Sequence, residues 1–418
     1  MLSPEEIESF GPLLDIPEAS LEALTIKIFE RVFHKACKGA RFIGRAKGSY
    51  NLVHFVHAND DLIFVIRVSG AAWGSGKTDT AARALESTVA TMRFVAKNSS
   101  IPVPEVYDFD TTDDNEIQAP YMCISFISGT PVSYAWNNKS IHMPLIQFRQ
   151  NILRSLAQVM AQFSSFSFDK IGSITSDEAN SQALAPCYDW KHTEDGALQV
   201  VSSGPFDSVS DYLKYHYKEC DHGDINATRA DHMLRGLIIP AWIAGLANDP
   251  SEGFVLRPPD FDAQNVMVDD EGNITGFLDW DHAHTLPRSL GYARIPAWLM
   301  RDWDPPRRHL LGTSMTELPN IALDAYRNLY VYDIGTSLNW QGDWEFALKS
   351  HLSEAVWAAA HHGCYRREIC QKLIKAAMKT MNGNQVDCMN LLFRFENDFL
   401  GEEEWNMLND GFKHLFLT

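Results

Sequence analysis

The chain has no cysteine pair at metal-ligand spacing, no apolar run of membrane-spanning length and no run of lysines and arginines, and each absence removes a class of function. The seven cysteines, Cys37, Cys123, Cys187, Cys220, Cys364, Cys370 and Cys388, are odd in number, scattered and never arranged Cys-x-x-Cys. That pattern argues against a zinc module or a disulfide framework and reads as reduced thiols filling core. A chain of 418 residues buries enough apolar surface to do without such staples. The longest apolar stretch, Gly236 to Ala247, is broken by Pro240 and falls well short of the ~20 residues that span a bilayer, so no membrane partner is expected. The first residues, Met-Leu-Ser-Pro-Glu-Glu-Ile-Glu, are acidic where an export signal is basic and then apolar, and the expected location is cytoplasmic. With a formal net charge of -18, the chain would repel a nucleic-acid backbone, and no nucleic-acid partner is expected. The same acidity would suit a cationic ligand, although it serves solubility equally well.

What is present divides into two unequal parts. From Phe42 to Phe126 the sequence reads as short strands with one helix between them, and from Pro144 onward helical periodicity dominates, apart from a strand-rich island near residues 253 to 280. Tyr50 to His57, the Asn59-Asp60-Asp61 turn and Leu62 to Ser69 predict a hairpin. Asp79 opens a helix that runs to about Asn98, and Ile101-Pro-Val-Pro ends it. Strands follow at Val106 to Phe109 and Tyr121 to Phe126, then a linker at Ile127-Ser-Gly-Thr-Pro. Further helices are expected at about Met143 to Phe163, Ser208 to Lys218, Asp231 to Ala247, Trp344 to His361 and Gln385 to Phe399. The expected fold class is therefore α+β, with an antiparallel N-terminal lobe over residues 1–127 and a larger, mostly helical lobe over 128–418.

Between Phe254 and Asp281 the chain runs strand, loop, strand, turn, strand, with Asp269-Asp-Glu-Gly-Asn as the turn. This order brings the loop holding Asp260 and Asn265 close to the strand end holding Asp279. Two carboxylates and a carboxamide at one edge fit phosphoryl transfer, which needs hard oxygen ligands for Mg2+ and a carboxylate to orient the attacking hydroxyl. They fit turn and cap positions equally well, and spacing alone leaves both readings open.

The segment Asp260-x4-Asn265 followed by the strand into Asp279 resembles the catalytic and metal-binding segments of the aminoglycoside phosphotransferase family, in its fungal form, within the protein-kinase-like superfamily. The resemblance spans roughly residues 30 to 305. Gly44-Arg-Ala-Lys-Gly-Ser-Tyr-Asn51 looks like that family's nucleotide-covering turn, Val65-Ile-Arg67 like its third strand, and Pro120-Tyr-Met-Cys-Ile-Ser-Phe-Ile-Ser-Gly129 like its hinge. It implies a bilobal kinase-like fold using ATP and Mg2+, with a hydroxyl of a small molecule as acceptor. By position it assigns Asp260 as base and Asn265 and Asp279 as metal ligands. Gly44 and the backbone of Lys47, Gly48 and Ser49 would approach the phosphates, Arg67 would contact them, and the backbone of Ser125 to Ile127 would meet the adenine.

The sequence departs from the family at four positions. Arg67 stands where kinases carry lysine, Thr88 where the helix glutamate that pairs with it would fall, Pro258 where a histidine usually precedes the aspartate, and Asp262 where a histidine, lysine or glutamine is common. The nearest helix carboxylate, Glu86, is turned ~200° from position 88 on an ideal helix. Three other readings follow from the residues. A catalytically weak or inactive nucleotide-binding protein would tolerate these changes. A phosphate loop at Ala71-x4-Gly76-Lys77-Thr78 would need parallel strand-helix-strand repeats, which the sequence does not supply. His282 and His284 could chelate a metal, although no third ligand accompanies them.

Overall fold

The computed structural model describes residues 9–59, 62–175, 184–192, 197–217, 225–246, 253–303, 320–381, 388–397 and 399–417. Its N-terminal sheet has five strands: β1 (Ala40–Lys47), β2 (Asn51–Ala58), β3 (Leu62–Ser69), β4 (Val106–Asp110) and β5 (Tyr121–Ser125). They are ordered β1-β2-β3-β5-β4 with every pairing antiparallel. Burial alternates strictly along β2, as the two-residue side-chain period of a strand requires when one face is covered. Leu52, His54, Val56 and Ala58 form the fully buried face.

That face is covered by helix α1 (Glu18–Phe33), whose Leu21, Leu24, Ile28 and Phe29 join Leu52, Val56, Phe64 and Ile66 in one apolar cluster. The sequence reading had one helix in this lobe, and the structure has two main ones. The opposite face meets helix α2 (Asp79–Asn98), where Val89, Met92 and Val95 pack with Val65, Met122 and Ile124. Thr78 caps α2, its hydroxyl accepting from Ala81 N–H at 3.1 Å. The cap is therefore one residue earlier than the Asp79 expected from sequence.

After β5 the chain makes a two-residue strand, β6 (Thr130–Pro131), and then turns helical, with a single turn at Val132–Ala135 before α3 (Leu145–Ala161). The expected helices appear at Val209–His216, Trp344–His361 and Cys388–Glu396. The stretch around Pro240 is helical in three parts: Ile225–Met233, a wider π turn over Leu234–Ile238, and Ile239–Leu246. Proline lacks the N–H that would continue a regular ladder, and the widened turn precedes it directly. Lys218, Ala247 and residues 385–387 and 398, where helix is expected, and Asp60 and Asp61 of the first hairpin lie outside the described residues. No helix among the described residues is long and apolar enough to cross a membrane.

Beside the short antiparallel pair β7 (Ser173–Ile174) and β8 (Leu184–Ala185), two further strand pairs position the site. β9 (Cys187–His192) and β10 (Leu198–Ser203) form an antiparallel hairpin absent from the sequence reading. It packs on the N-terminal lobe, where Leu198 and Val200 meet Ala71 and Ala84. β11 (Val266–Val268) pairs with both β6 and β12 (Ile274–Phe277). Their connecting turn is fixed by Asp269, whose Oδ1 accepts from Glu271 N–H at 2.9 Å and Asn273 N–H at 2.8 Å. Gly272 takes φ +86° there, in the left-handed region that costs glycine least.

Candidate functional site

The loop before β11 holds Asp260 by its own neighbours. Asn265 Nδ2 donates to Asp260 Oδ2 at 2.8 Å and to the Asp260 carbonyl at 3.1 Å, and Gln264 Nε2 donates to the same carboxylate oxygen at 3.0 Å. Asp262 is buried and closes the loop, its Oδ1 accepting from Ala263 N–H at 2.8 Å and its carbonyl from Asn265 N–H at 3.0 Å. That bonding makes Asp262 a turn residue. The Asn265 carbonyl accepts from Leu278 N–H at 2.8 Å, which sets Asp279 beside it, so the three residues expected to act together are brought together.

Asp279 leaves β12 with φ +56°, and His282 follows with φ +57°. Such a backbone costs a residue other than glycine about 1 kcal/mol or more, least for Asp and Asn, and it persists only where the surroundings enforce it. The enforcing residue is Trp280, fully buried, with its indole N–H donating to the Phe277 carbonyl at 3.0 Å and its ring stacked on Phe163. The result is a tight turn that aims Asp279 and Asp281 toward the N-terminal sheet.

Arg67 on β3 receives them. Its Nη2 donates to Asp279 Oδ1 at 2.8 Å and Asp281 Oδ2 at 3.1 Å, and Asn51 Nδ2 donates to that Asp281 oxygen at 2.7 Å. Desolvation in the crevice raises the Asp279 carboxyl above its ordinary value and Asp281 adds to this, while Arg67 opposes them. Glu86 is not among the ion-pair partners of Arg67, which are Asp279 and Asp281. Glu86 lines a separate crevice with Arg83, Ser87 and Tyr188, whereas Thr88 lines the same crevice as Arg67 and donates its hydroxyl to the Ala84 carbonyl of its own helix at 3.0 Å. A two-residue offset on a regular helix is the physical reason.

The remaining predicted residues lie on the N-terminal sheet and on the segment that leaves it. Gly44 falls at a register break in β1, opposite Phe55. Lys47, Gly48 and Ser49 make the β1–β2 turn, closed by Gly48 N–H donating to the Asn51 carbonyl at 2.9 Å. Ser125 N–H donates to the Glu105 carbonyl at 2.8 Å, so that donor is committed within the sheet. Ile127 lies against Gly276 of β12. Sequence reasoning missed Trp190, which stacks on Tyr50 with ring centroids 5.0 Å apart and meets His282 at 4.2 Å. A tryptophan in an otherwise polar strand was the available signal.

Two competing readings fail on geometry. A phosphate loop needs a parallel crossover, and every strand pair among the described residues is antiparallel. Residues 70–76 instead form two tight turns, and a side chain at Gly76 would strike the Leu198 carbonyl of β10. Lys77 pairs with Asp113 on the surface. The Lys77→Ala variant is therefore expected to bind ATP with wild-type affinity in a calorimetric titration; a loss of tenfold or more would revive the loop reading. Of the His282–His284 pair, His284 is engaged at both ring nitrogens, Nε2 with the Tyr212 hydroxyl at 2.9 Å and Nδ1 with the His282 carbonyl at 3.0 Å, whereas His282 Nδ1 is buried without a hydrogen-bond partner. No group of three or more metal-ligating side chains occurs among the described residues.

The sequence profile of the phosphotransferase enzyme family, APH, matches residues 44–314. The chain belongs to that family. Membership accounts for the α+β, kinase-like arrangement of antiparallel sheet and helical lobe, and the matched span contains all the residues assigned above. Among curated relatives, a subtelomeric hrmA-associated cluster protein of Aspergillus fumigatus is 28% identical over 167 residues, covering 38% of this chain and 29% of that one. The clavilactone A biosynthesis cluster protein Y of Ampulloclitocybe clavipes is 25% identical over 227 residues, covering 52% and 54%. The chain thus matches 29% and 54% of the lengths of these two curated relatives. A solved aminoglycoside phosphotransferase, APH(4)-Ia, aligns over 83% of this chain and 98% of its own at 16% identity and a TM-score of 0.40. A macrolide 2'-phosphotransferase of Brachybacterium faecium aligns over 83% and 96% at 14% identity and 0.37. The family assignment rests on the profile.

Proposed function

We propose that this family member is an ATP-dependent phosphotransferase that moves the γ-phosphate to a hydroxyl of a small molecule. The observation that carries the reading is the linked geometry of Asp260, Asn265 and Asp279, in which one carboxamide bonds the base and its backbone bonds the residue before the metal aspartate.

The residues fit Mg2+. Asn265 turns its amide nitrogen to Asp260 and so directs its oxygen elsewhere, and Asp279 contributes carboxylate oxygens, a hard donor set of the size this ion uses when phosphates complete its shell. Bound there, the ion would neutralise phosphate charge. Asp260, oriented by Asn265 and Gln264, accepts the proton of the acceptor hydroxyl as that hydroxyl's oxygen bonds the γ-phosphorus and the bond from phosphorus to the β,γ-bridging oxygen breaks, releasing ADP. Arg67 supplies positive charge to the phosphates, the Lys47–Ser49 turn covers them, and the Ser125–Ile127 segment meets the adenine. We place the lobe boundary at residues 127 and 128, where the chain passes from β5 to β6 and the second sheet.

Nucleotide binding tests this separately from chemistry. Titration of ATP in excess Mg2+ is expected to show binding that Asp279→Ala weakens by about a hundredfold or more, as expected for loss of a charged metal ligand. Equal affinity of wild type and Asp279→Ala would contradict the assignment.

A further inference from the structure

In the arrangement that the sequence resembles, a helix carboxylate holds the phosphate-contacting cation of the third strand. Here α2 offers Arg67 no charge at all. Between α2 and Arg67 lies a crevice of about 60 Å³, to which the helix contributes Ala81, Ala84, Leu85 and Thr88. The carboxylates come instead from the turn after β12, and they differ in character. Asp279 is 40% exposed, whereas Asp281 is 16% exposed and holds its Oδ2 against both Arg67 and Asn51.

We propose that Asp281 is the positioning residue for Arg67, taking over the work of a helix carboxylate. This rests on the nucleotide-binding reading above. One carboxylate oxygen gathers three parts of the site: Asn51, which follows the Gly48-Ser49 turn, Arg67 in the middle of the sheet, and the turn that carries Asp279. Both of Arg67's carboxylate contacts use Nη2, which leaves Nε and Nη1 of the planar fork to donate to phosphate oxygens. A lysine ammonium has no such second edge. The arginine and the displaced carboxylate therefore form one change: an acidic partner two residues beyond the metal ligand calls for a cation that can bond it and phosphate at once. A consequence is that the set of Arg67 is independent of where α2 lies.

The test compares Asp281→Asn, Arg67→Ala, the double variant and Glu86→Gln by calorimetric titration with ATP and with adenosine in excess Mg2+. Asp281→Asn is expected to weaken ATP binding about tenfold, the worth of one charge-assisted hydrogen bond, and to leave adenosine binding unchanged. The double variant should bind ATP no more weakly than Arg67→Ala alone, because Asp281 acts through Arg67. Glu86→Gln should match wild type. The proposal is overturned if Asp281→Asn binds ATP normally, if its loss adds to that of Arg67→Ala, or if adenosine affinity falls in parallel with ATP. Wild-type protein that binds neither ligand would sink the nucleotide reading and this proposal with it, whereas wild-type binding with an indifferent Asp281→Asn sinks this proposal alone.

Discussion

Replacing Asp260 by asparagine is expected to lower turnover about a thousandfold, within the range that a positioned general base supplies, while leaving Mg-ATP affinity within about twofold. The asparagine keeps the size of the side chain and one oxygen for the bonds from Asn265 and Gln264, so the loop retains its shape. What it loses is the ability to take a proton from the acceptor. Single-turnover kinetics separates the two contributions: the rate of the chemical step should fall and the binding step should not. A parallel loss of ATP affinity would mean that Asp260 supports the nucleotide, and the assigned roles of base and ligand would then be wrong.

The second large effect concerns stability. Glu354, on the helix Trp344–His361, accepts from Arg257 Nη1 at 2.7 Å and pairs closely with Arg294. Arg257 lies three residues before Asp260, and Arg294 places its guanidinium 5.5 Å from the Phe261 ring. Both arginines are buried. Glu354→Gln leaves two buried cations against a neutral amide, and breaking a buried pair in this way costs about 3–5 kcal/mol. Urea denaturation should register that loss, and a change below about 1 kcal/mol would show that the triad is not the anchor of the Asp260 loop.

The same group sets an acid limit. Burial would raise the Glu354 carboxyl, but Arg294 and Arg257 override it and push it down to about 2, from an ordinary value of 4.5. A carboxyl depressed in the folded state contributes stability that is fully present above its unfolded value and is lost as pH falls through the folded one. Wild-type melting temperature should therefore decline between pH 4.5 and about 2, and Glu354→Gln should flatten that part of the profile.

Periodicity carried most of the fold. The strand β3, the helix α2 and the helix Trp344–His361 coincide with the ranges read from the sequence: β3 from an apolar run that follows a turn, α2 from its start signal and the Ile101-Pro-Val-Pro stop, and the third from three- and four-residue spacing. The β9–β10 hairpin was illegible for the opposite reason: Cys-Tyr-Asp-Trp-Lys-His has only two buried residues, and its apolar partner is the distant segment around Ala71 and Ala84. Helix α1 begins after Pro17 without a side-chain cap, so its usual start signal is missing.

In the site, the approach of Asp260, Asn265 and Asp279 was readable from a simple strand order within twenty residues, whereas their proposed roles come from the family resemblance. The approach of Asp281 was not readable. Its partners Arg67 and Asn51 lie 214 and 230 residues away, and the left-handed backbone at Asp279 that turns it toward them has no signature in an Asp-Trp-Asp sequence. The partners of Arg67 come from the turn after β12 and not from the neighbouring helix α2.

The central claim is that this chain transfers phosphate and that Asp260 drives the transfer. ATP labelled at the γ-phosphate, incubated in Mg2+ with a fractionated extract of hydroxyl-bearing metabolites, measures it directly. The predicted result is label in at least one small organic product with wild-type protein and about a thousandfold less with Asp260→Asn. Label appearing equally with both proteins, or with neither across the fractions, would contradict it.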